Sequence, residues 1–399
     1  FASLQSLSFD FQNTDAHREL TEVVHMMAET KPHLVIPSVV NRAQAAVDNV
    51  SSFWAEPKDT GFFSPMVKPV NGKAPEDGTA CGRGTHFAKN MGAALALTDL
   101  LREIYSIPVY QSRPSQQTSA FLQVTMADKY SSLVTSLGRL HAACVWEEII
   151  LEKNIPDTWD QATKVQHPGT DLERSSDASG MPNTDDSRTA PGSELRTQAA
   201  SADVPTEAQP AQERSDNSKT RISEDNIAFK NVQTLRYLLS SLPSTIAGFF
   251  HNLGLGLIGK RRMDHYQKQN AAMVADHIAK SVIGQLQFGP PNSTDNPRMR
   301  LAYLIVILSS FSHLLYEPSV DRPQSHYLTL VLSAFKRNQG LKVIKGVCDI
   351  FVREISVLTP PESVPETEKD VSARLTSAYG GIKIILAFFA ELASGKNIV

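Results

Sequence analysis

The residue types used in nucleotide binding occur together in the glycine-rich run from Gly254 to Lys260. This run fits the G-x-G-x-x-G spacing of dinucleotide-binding proteins and also the first part of a phosphate-binding loop. A phosphate-binding loop needs Ser or Thr after its lysine to reach the metal, but this sequence has Arg261 there. Both motifs also need a preceding strand, whereas the apolar residues of Pro243 to Leu253 recur with helical spacing. The run therefore predicts a close helix–helix contact or a helix C-terminus, and a nucleotide-dependent enzyme has no other support.

The densest basic run of the chain follows directly, at Lys260, Arg261 and Arg262. Basic side chains in the last turn of a helix ordinarily satisfy its unpaired carbonyl groups and its macrodipole. The alternative is a patch for an anionic partner, either an acidic protein or the acidic part of this chain itself. These three residues are the only binding residues that the sequence predicts.

The spacing of the cysteine and histidine residues predicts neither a metal site nor a catalytic nucleophile. Cys81, Cys144 and Cys348 lie far apart without a C-x-x-C pair, and no H-x-x-x-H spacing occurs among the 11 histidines. Cys81 and His86 are close in sequence, but two ligands are too few for zinc. Cys144 and Cys348 lie in apolar helical patterns and are expected to be small core residues. We therefore predict no catalytic residue, no metal and no cofactor in this chain.

Composition divides the chain at a polar, acidic segment from Asp157 to Asp225. These 69 residues contain one aromatic residue and 14 acidic against seven basic residues, a net charge of −7. Such a segment cannot bury enough apolar surface to offset the entropy lost on ordering. Since the whole chain has a net charge of −3, the remainder is mildly basic at +4. The sequence predicts a disordered acidic linker at 157–225 between helical parts at 1–156 and 226–399.

Apolar residues in both helical parts recur at steps of three and four, which predicts helices throughout. The region 55–90 is the exception, because its prolines and glycines are spaced too closely for a helix or strand. A long helix is predicted from Ser119 onward, with Leu133, Leu137 and Cys144 on an apolar stripe and a polar outer face. About ten helices without a sheet predict an all-α fold, either a closed helical domain or an α-solenoid. We favour an α-solenoid of armadillo/HEAT-like helix pairs.

The stretch from Leu301 to Tyr316 is the most apolar, but its 16 residues are fewer than the roughly 20 that span a bilayer. It is predicted to be a buried helix, with no membrane partner. The chain begins with Phe1 rather than Met, so we expect it to be a fragment of a longer protein.

Three helical blocks, taken in order, resemble the N-terminal armadillo-like region of giant HECT-type ubiquitin ligases. These are the fungal "trigger of mitosis" ligases and the animal Huwe proteins. The blocks are Ser136 to Leu151, Leu238 to Arg262, and Arg300 to Glu317 followed by His326-Tyr327-Leu328. A weaker similarity covers Val47 to Gly72, and the acidic segment stands where these ligases carry an unstructured insertion.

The resemblance implies that the parent protein transfers ubiquitin through a catalytic cysteine in a distant C-terminal domain that these residues do not include. It implies a scaffold and substrate-capture role for this segment, in nucleus and cytoplasm. The implied partners are protein substrates, including basic ones such as histones and unassembled ribosomal proteins, and a ubiquitin-charged carrier enzyme that binds the distant domain. No direct nucleic-acid binding is expected. The alternative is an armadillo/HEAT adaptor for trafficking or transport that is unrelated to ubiquitin.

Overall fold

The computed structural model describes residues 14–55, 61–63, 86–106, 129–155, 159, 227–257, 265–289, 297–317, 326–358 and 368–393. The described residues form eleven helices and two short strands. The helices before the acidic segment are α1 (Thr14–Thr30), α2 (Pro32–Asp48), α3 (Ser51–Trp54), α4 (His86–Ile104) and α5 (Lys129–Asn154). The helices after it are α6 (Ile227–Gly256), α7 (His265–Gln287), α8 (Pro297–Leu315), α9 (Thr329–Arg337), α10 (Gly340–Leu358) and α11 (Glu368–Ala393). Strands β1 (Tyr316–Glu317) and β2 (His326–Tyr327) lie between α8 and α9.

Each helix packs mainly against helices close to it in sequence, and this confirms the all-α solenoid prediction. Helix α2 packs on α4 and α5. Helix α4 packs on α6, and α5 packs on both α6 and α7. Helix α7 also packs on α9 and α10, and α8 and α10 both pack on α11. The helices on the two sides of the acidic segment therefore share one compact unit. The predicted disorder of residues 157–225 lies outside the described residues, apart from Trp159, whose ring packs edge-on against Phe229.

Helix α5 occupies the centre of this unit, and the predicted polar outer face is wrong for most of its length. The helix packs against α2, α3, α6, α7 and α8. As a result His141 and Glu147 are buried together with Leu133, Leu137 and Cys144 of the predicted stripe. The contacts on several sides, which local sequence does not reveal, decide the burial of these polar residues.

Helix α6 runs without a break through Pro243. A proline inside a helix removes one backbone hydrogen bond and is costly. Burial of one continuous face offsets this cost, since Leu239, Leu242, Ile246 and Phe249 are all at most 1 % exposed.

Two further expectations are corrected locally. Strands β1 and β2 pair antiparallel, with Tyr316 opposite Tyr327, whereas no strand was expected. Two-residue strands are too short to show an alternating pattern. The loop predicted at 55–90 ends early, because α4 already begins at His86 after the last closely spaced glycine, Gly84.

The part of that loop that the structure describes, Gly61 to Phe63, enters the core. Gly61 has a φ of 81°, a conformation that favours glycine. The turn aims the backbone N–H groups of Phe62 and Phe63 at the two carboxylate oxygens of Glu147, at 2.8 Å each. The two rings pack with Phe53 in one aromatic cluster, with centroids 5.0 to 5.5 Å apart. Glu147 therefore anchors an otherwise irregular segment to the central helix.

The sequence predicted no membrane-spanning segment, but by length and composition α11 is long and apolar enough to cross a membrane. Its residues Asp370–Ala393 have a mean hydropathy of 1.4, and 17 % of the most apolar window is buried. A single helix of this kind is weak evidence for a membrane span. Its inner face packs on α8 and α10, where the Arg374 guanidinium lies 2.5 Å from the Glu354 carboxylate.

We expect Gly381→Ala to destabilise the chain by about 1 to 3 kcal/mol, because an added methyl group would overlap the ring of Phe351 at the α10–α11 contact. Gly380→Ala in the same helix is the matched control. Its methyl group would meet no atom within 4 Å, so it is expected to be neutral or to stabilise the helix by up to about 1 kcal/mol. Urea denaturation of both variants measures the difference, and equal stabilities would contradict the observed packing.

Candidate functional site

A groove of about 540 Å³ lies where α3, α5 and α7 meet. Helix α3 contributes Trp54, and α5 contributes a wall that includes Arg139. Helix α7 supplies the opposite wall with His277 and Lys280. Among the described residues that line the groove, none is acidic. The groove thus combines cationic side chains with an aromatic surface.

The first wall is held by Trp54, whose indole N–H donates a hydrogen bond of 2.9 Å to the carbonyl oxygen of Val47. The guanidinium carbon of Arg139 lies 5.9 Å from the centre of the Trp54 ring, within the range of a cation–π contact. Arg139 itself is exposed, and no described carboxylate forms an ion pair with it. Its charge is therefore available to a ligand in the groove.

The opposite wall is fixed by Asp276, which lies beside the groove on α7. Its carboxylate accepts hydrogen bonds from Asn338 at 2.6 Å and Arg337 at 3.2 Å, and Lys280 lies 2.7 Å away. Burial raises the pKa of Asp276, but the hydrogen bonds from Lys280, Asn338 and Arg337 outweigh it and hold the pKa at about 2. The carboxylate stays ionised and ties α7 to the end of α9. Lys280 is still 58 % exposed, so its ammonium retains donors for a ligand.

The floor of the groove is formed by small residues and by the side chain of one mostly buried glutamine. Helices α5 and α7 approach so closely that a methyl group on Gly138 would overlap the hydroxyl of Ser281. One turn further along α7, the space above Gly284 is open, with no atom within 4 Å of an added methyl group. Gln285 lines the groove at only 6 % exposure, and its side-chain amide has no hydrogen bond to a described residue.

No arrangement for covalent chemistry lies behind this floor. Burial raises the pKa of the Cys144 thiol well above its usual value, and the nearby carboxylates of Glu147 and Glu148 raise it further. The thiol thus remains protonated, which makes it a poor nucleophile. Cys348 is a free, half-buried thiol on α10. In the part of the chain that the structure describes, no three His, Cys, Asp or Glu side chains are grouped to hold a metal.

The structure does not place the predicted basic patch, since Lys260, Arg261 and Arg262 lie outside the described residues, as does Cys81. The glycine run is described as far as Leu257. Gly254 lies at a close helix contact, because an added methyl group there would be 2.7 Å from a methyl carbon of Leu328. Gly256 is the last residue of α6. Both parts of the helix-contact or helix-end interpretation are therefore confirmed for these two glycines.

Sequence reasoning did not find the groove. Trp54, Arg139 and Lys280 are separated by more than 80 residues at each step and share no motif. The nearest local signal is Gly138 and Gly284 in otherwise good helical patterns, since glycine inside a helix usually reflects close packing or function.

Comparison with known proteins agrees with the resemblance found in the sequence. The whole chain is 24 % identical over 409 aligned residues to a Neurospora crassa protein named E3 ubiquitin-protein ligase TOM1-like. The chain spans 9 % of that protein's length. No protein-family model matches the chain. The chain is thus similar, along its full length, to a small part of a large E3 ubiquitin ligase.

Proposed function

We propose that this chain is a non-catalytic scaffold and protein-capture segment of a HECT-type E3 ubiquitin ligase. The observation that supports the proposal most is the similarity along the entire chain to a small part of a named ubiquitin ligase. Stacked helices with an open groove are suited to holding a protein, and the core cysteine Cys144 is poorly suited to carrying ubiquitin. Cys144 is fully buried, and its pKa is raised.

In this proposal the catalytic cysteine belongs to a HECT domain elsewhere in the parent protein, which also receives the ubiquitin-charged carrier enzyme. Basic substrates such as histones or unassembled ribosomal proteins would bind the acidic segment 157–225, since its net charge of −7 complements theirs. The parent would act in nucleus and cytoplasm.

The proposal is tested with the parent protein and with a version that lacks residues 1–399. We expect both proteins to form a thiol-sensitive ubiquitin adduct, and the shortened protein to modify substrates at least tenfold more slowly. The isolated chain, given activating enzyme, carrier enzyme, ATP and ubiquitin, should form no such adduct. An adduct on Cys81, Cys144 or Cys348 would refute the non-catalytic role. Unchanged substrate modification by the shortened parent would refute the capture role.

The adaptor alternative makes a different prediction about the gene. A trafficking adaptor requires no HECT domain, whereas the proposed ligase requires one in the same reading frame. Sequencing the complete transcript distinguishes these two functions.

A further inference from the structure

We propose that the groove between α3, α5 and α7 binds a short acidic peptide segment of a partner protein. The inference rests on the proposed function only in taking the chain to capture proteins. It adds the chemical class of the ligand and the residues that recognise it, and it names a surface separate from the acidic segment suggested for basic substrates.

The first argument is charge complementarity at the groove. Arg139 on α5 and Lys280 on α7 both line it, and no described carboxylate lines it. Arg139 has only the Trp54 ring as a described partner, and Lys280 shares Asp276 with Arg337 and Asn338. A peptide carboxylate between the two walls would gain charge-assisted hydrogen bonds, whereas a basic peptide would be repelled.

The second argument is the side-chain amide of Gln285 on the floor. The residue is only 6 % exposed, but its amide atoms are not sealed from solvent and stay open to the groove. This amide has no hydrogen-bond partner among the described residues. An amide can donate to a peptide carbonyl and accept from a peptide N–H at once, which is the pattern that an extended backbone offers.

The third argument concerns shape and the choice between a peptide and a nucleic acid. A volume of about 540 Å³ accommodates a few side chains. Trp54 at one side and Phe288 at another provide apolar surface for an anchoring residue between the acidic ones. Nucleic-acid binding usually neutralises several phosphates along a basic track, and two permanent cations are too few for that. The groove therefore favours an acidic peptide with an apolar anchor.

The experiment measures binding of a fluorescein-labelled peptide, Glu-Glu-Phe-Glu-Glu-Leu-Glu-Glu, to the complete 399-residue chain by fluorescence anisotropy. The reference peptide has Gln in place of every Glu. We expect the acidic peptide to bind at least tenfold more tightly than the reference at low salt, and this advantage to shrink as salt is added. Arg139→Gln and Gln285→Leu are each expected to weaken acidic-peptide binding severalfold.

Steric block of the groove provides the sharpest test and has a matched control. Gly284→Trp would fill the open space above the floor, so peptide binding should fall at least tenfold. Gly346→Trp on α10 also places its side chain where an added methyl group meets nothing within 4 Å, but it lies outside the groove. This control should bind the peptide as the parent chain does, and circular dichroism should report the same helix content for both variants.

Three outcomes would overturn the inference. The acidic and the Gln peptides could bind equally, Gly284→Trp could bind the acidic peptide normally, or an oligothymidylate could bind more tightly and be lost with the same variants. The last outcome would assign the groove to single-stranded nucleic acid. None of the three would affect the proposed ubiquitin function, since that is tested by substrate modification in the parent protein.

Discussion

Glu147→Ala is expected to lower the free energy of unfolding by about 3 to 5 kcal/mol, one of the largest effects of any single substitution in this chain. Glu147 is 3 % exposed, and its carboxylate accepts the backbone N–H groups of Phe62 and Phe63 at 2.8 Å each. Alanine would leave both donors without these acceptors, and a buried donor without a partner keeps its full cost of desolvation. The aromatic cluster with Phe53 would lose its anchor as well.

Glu147→Gln keeps one acceptor oxygen but turns an amide donor toward the second N–H group, so we expect an intermediate loss. Urea denaturation followed by tryptophan fluorescence measures both variants, because Trp54 lies next to this cluster. Glu152→Ala on the exposed side of the same helix is the control, with an expected change within about 0.5 kcal/mol. A loss below about 1 kcal/mol for Glu147→Ala would mean that water or another group replaces the carboxylate.

The second large effect is a pH dependence that arises from His141. Burial lowers the pKa of this imidazole from 6.5 to about 4, and its Nδ1 atom has no hydrogen-bond partner. The unfolded chain therefore binds a proton between pH 6.5 and about pH 4 that the folded chain does not bind. This difference in proton binding makes the free energy of unfolding depend on pH. The stability associated with neutral His141 is complete above pH 6.5 and is lost as the pH falls to about 4. The expected loss is about 3 kcal/mol over this window.

His141→Leu removes the titrating group while retaining a similar volume. We expect the variant to be at least as stable as the parent chain at pH 7, because it also removes an unpaired buried polar atom. At pH 5 the variant should gain about 2 kcal/mol relative to the parent chain.

The measurement is urea denaturation of both proteins at pH 7 and pH 5. Ile150→Val, a buried apolar change on the same helix, serves as control, since it should cost about 1 kcal/mol equally at both pH values. Parallel pH profiles for His141→Leu and the parent chain would show that His141 is accessible to protons in the folded state.

The local sequence of α5 determines that it is a helix, but it does not determine which of its side chains are buried. Its apolar stripe predicted the helix correctly, and Leu133, Leu137 and Cys144 are buried as expected. The sequence predicted that its polar residues face solvent, because the apolar pattern marks only one face of the helix. Five other helices surround α5, so His141 and Glu147 became the buried groups with the largest predicted effects.

Helix ends were predictable from local sequence, whereas the groove depends on tertiary packing. Proline-bearing stretches follow α7, α8 and α10, since proline does not continue a helix. Pro243 does not end α6, because the buried face of this helix outweighs one missing hydrogen bond. The sequence did not predict the groove, because its cations and Trp54 come from three helices that are distant in sequence.

The sequence by itself determined the all-α fold, the positions of most helices and the resemblance to a ubiquitin ligase, because apolar periodicity and composition are properties of neighbouring residues. Only the tertiary structure decided which polar side chains are buried, how Gly61 to Phe63 joins the core, and that Arg139 and Lys280 line one groove. These features depend on the distances between helices, and packing of remote segments sets those distances.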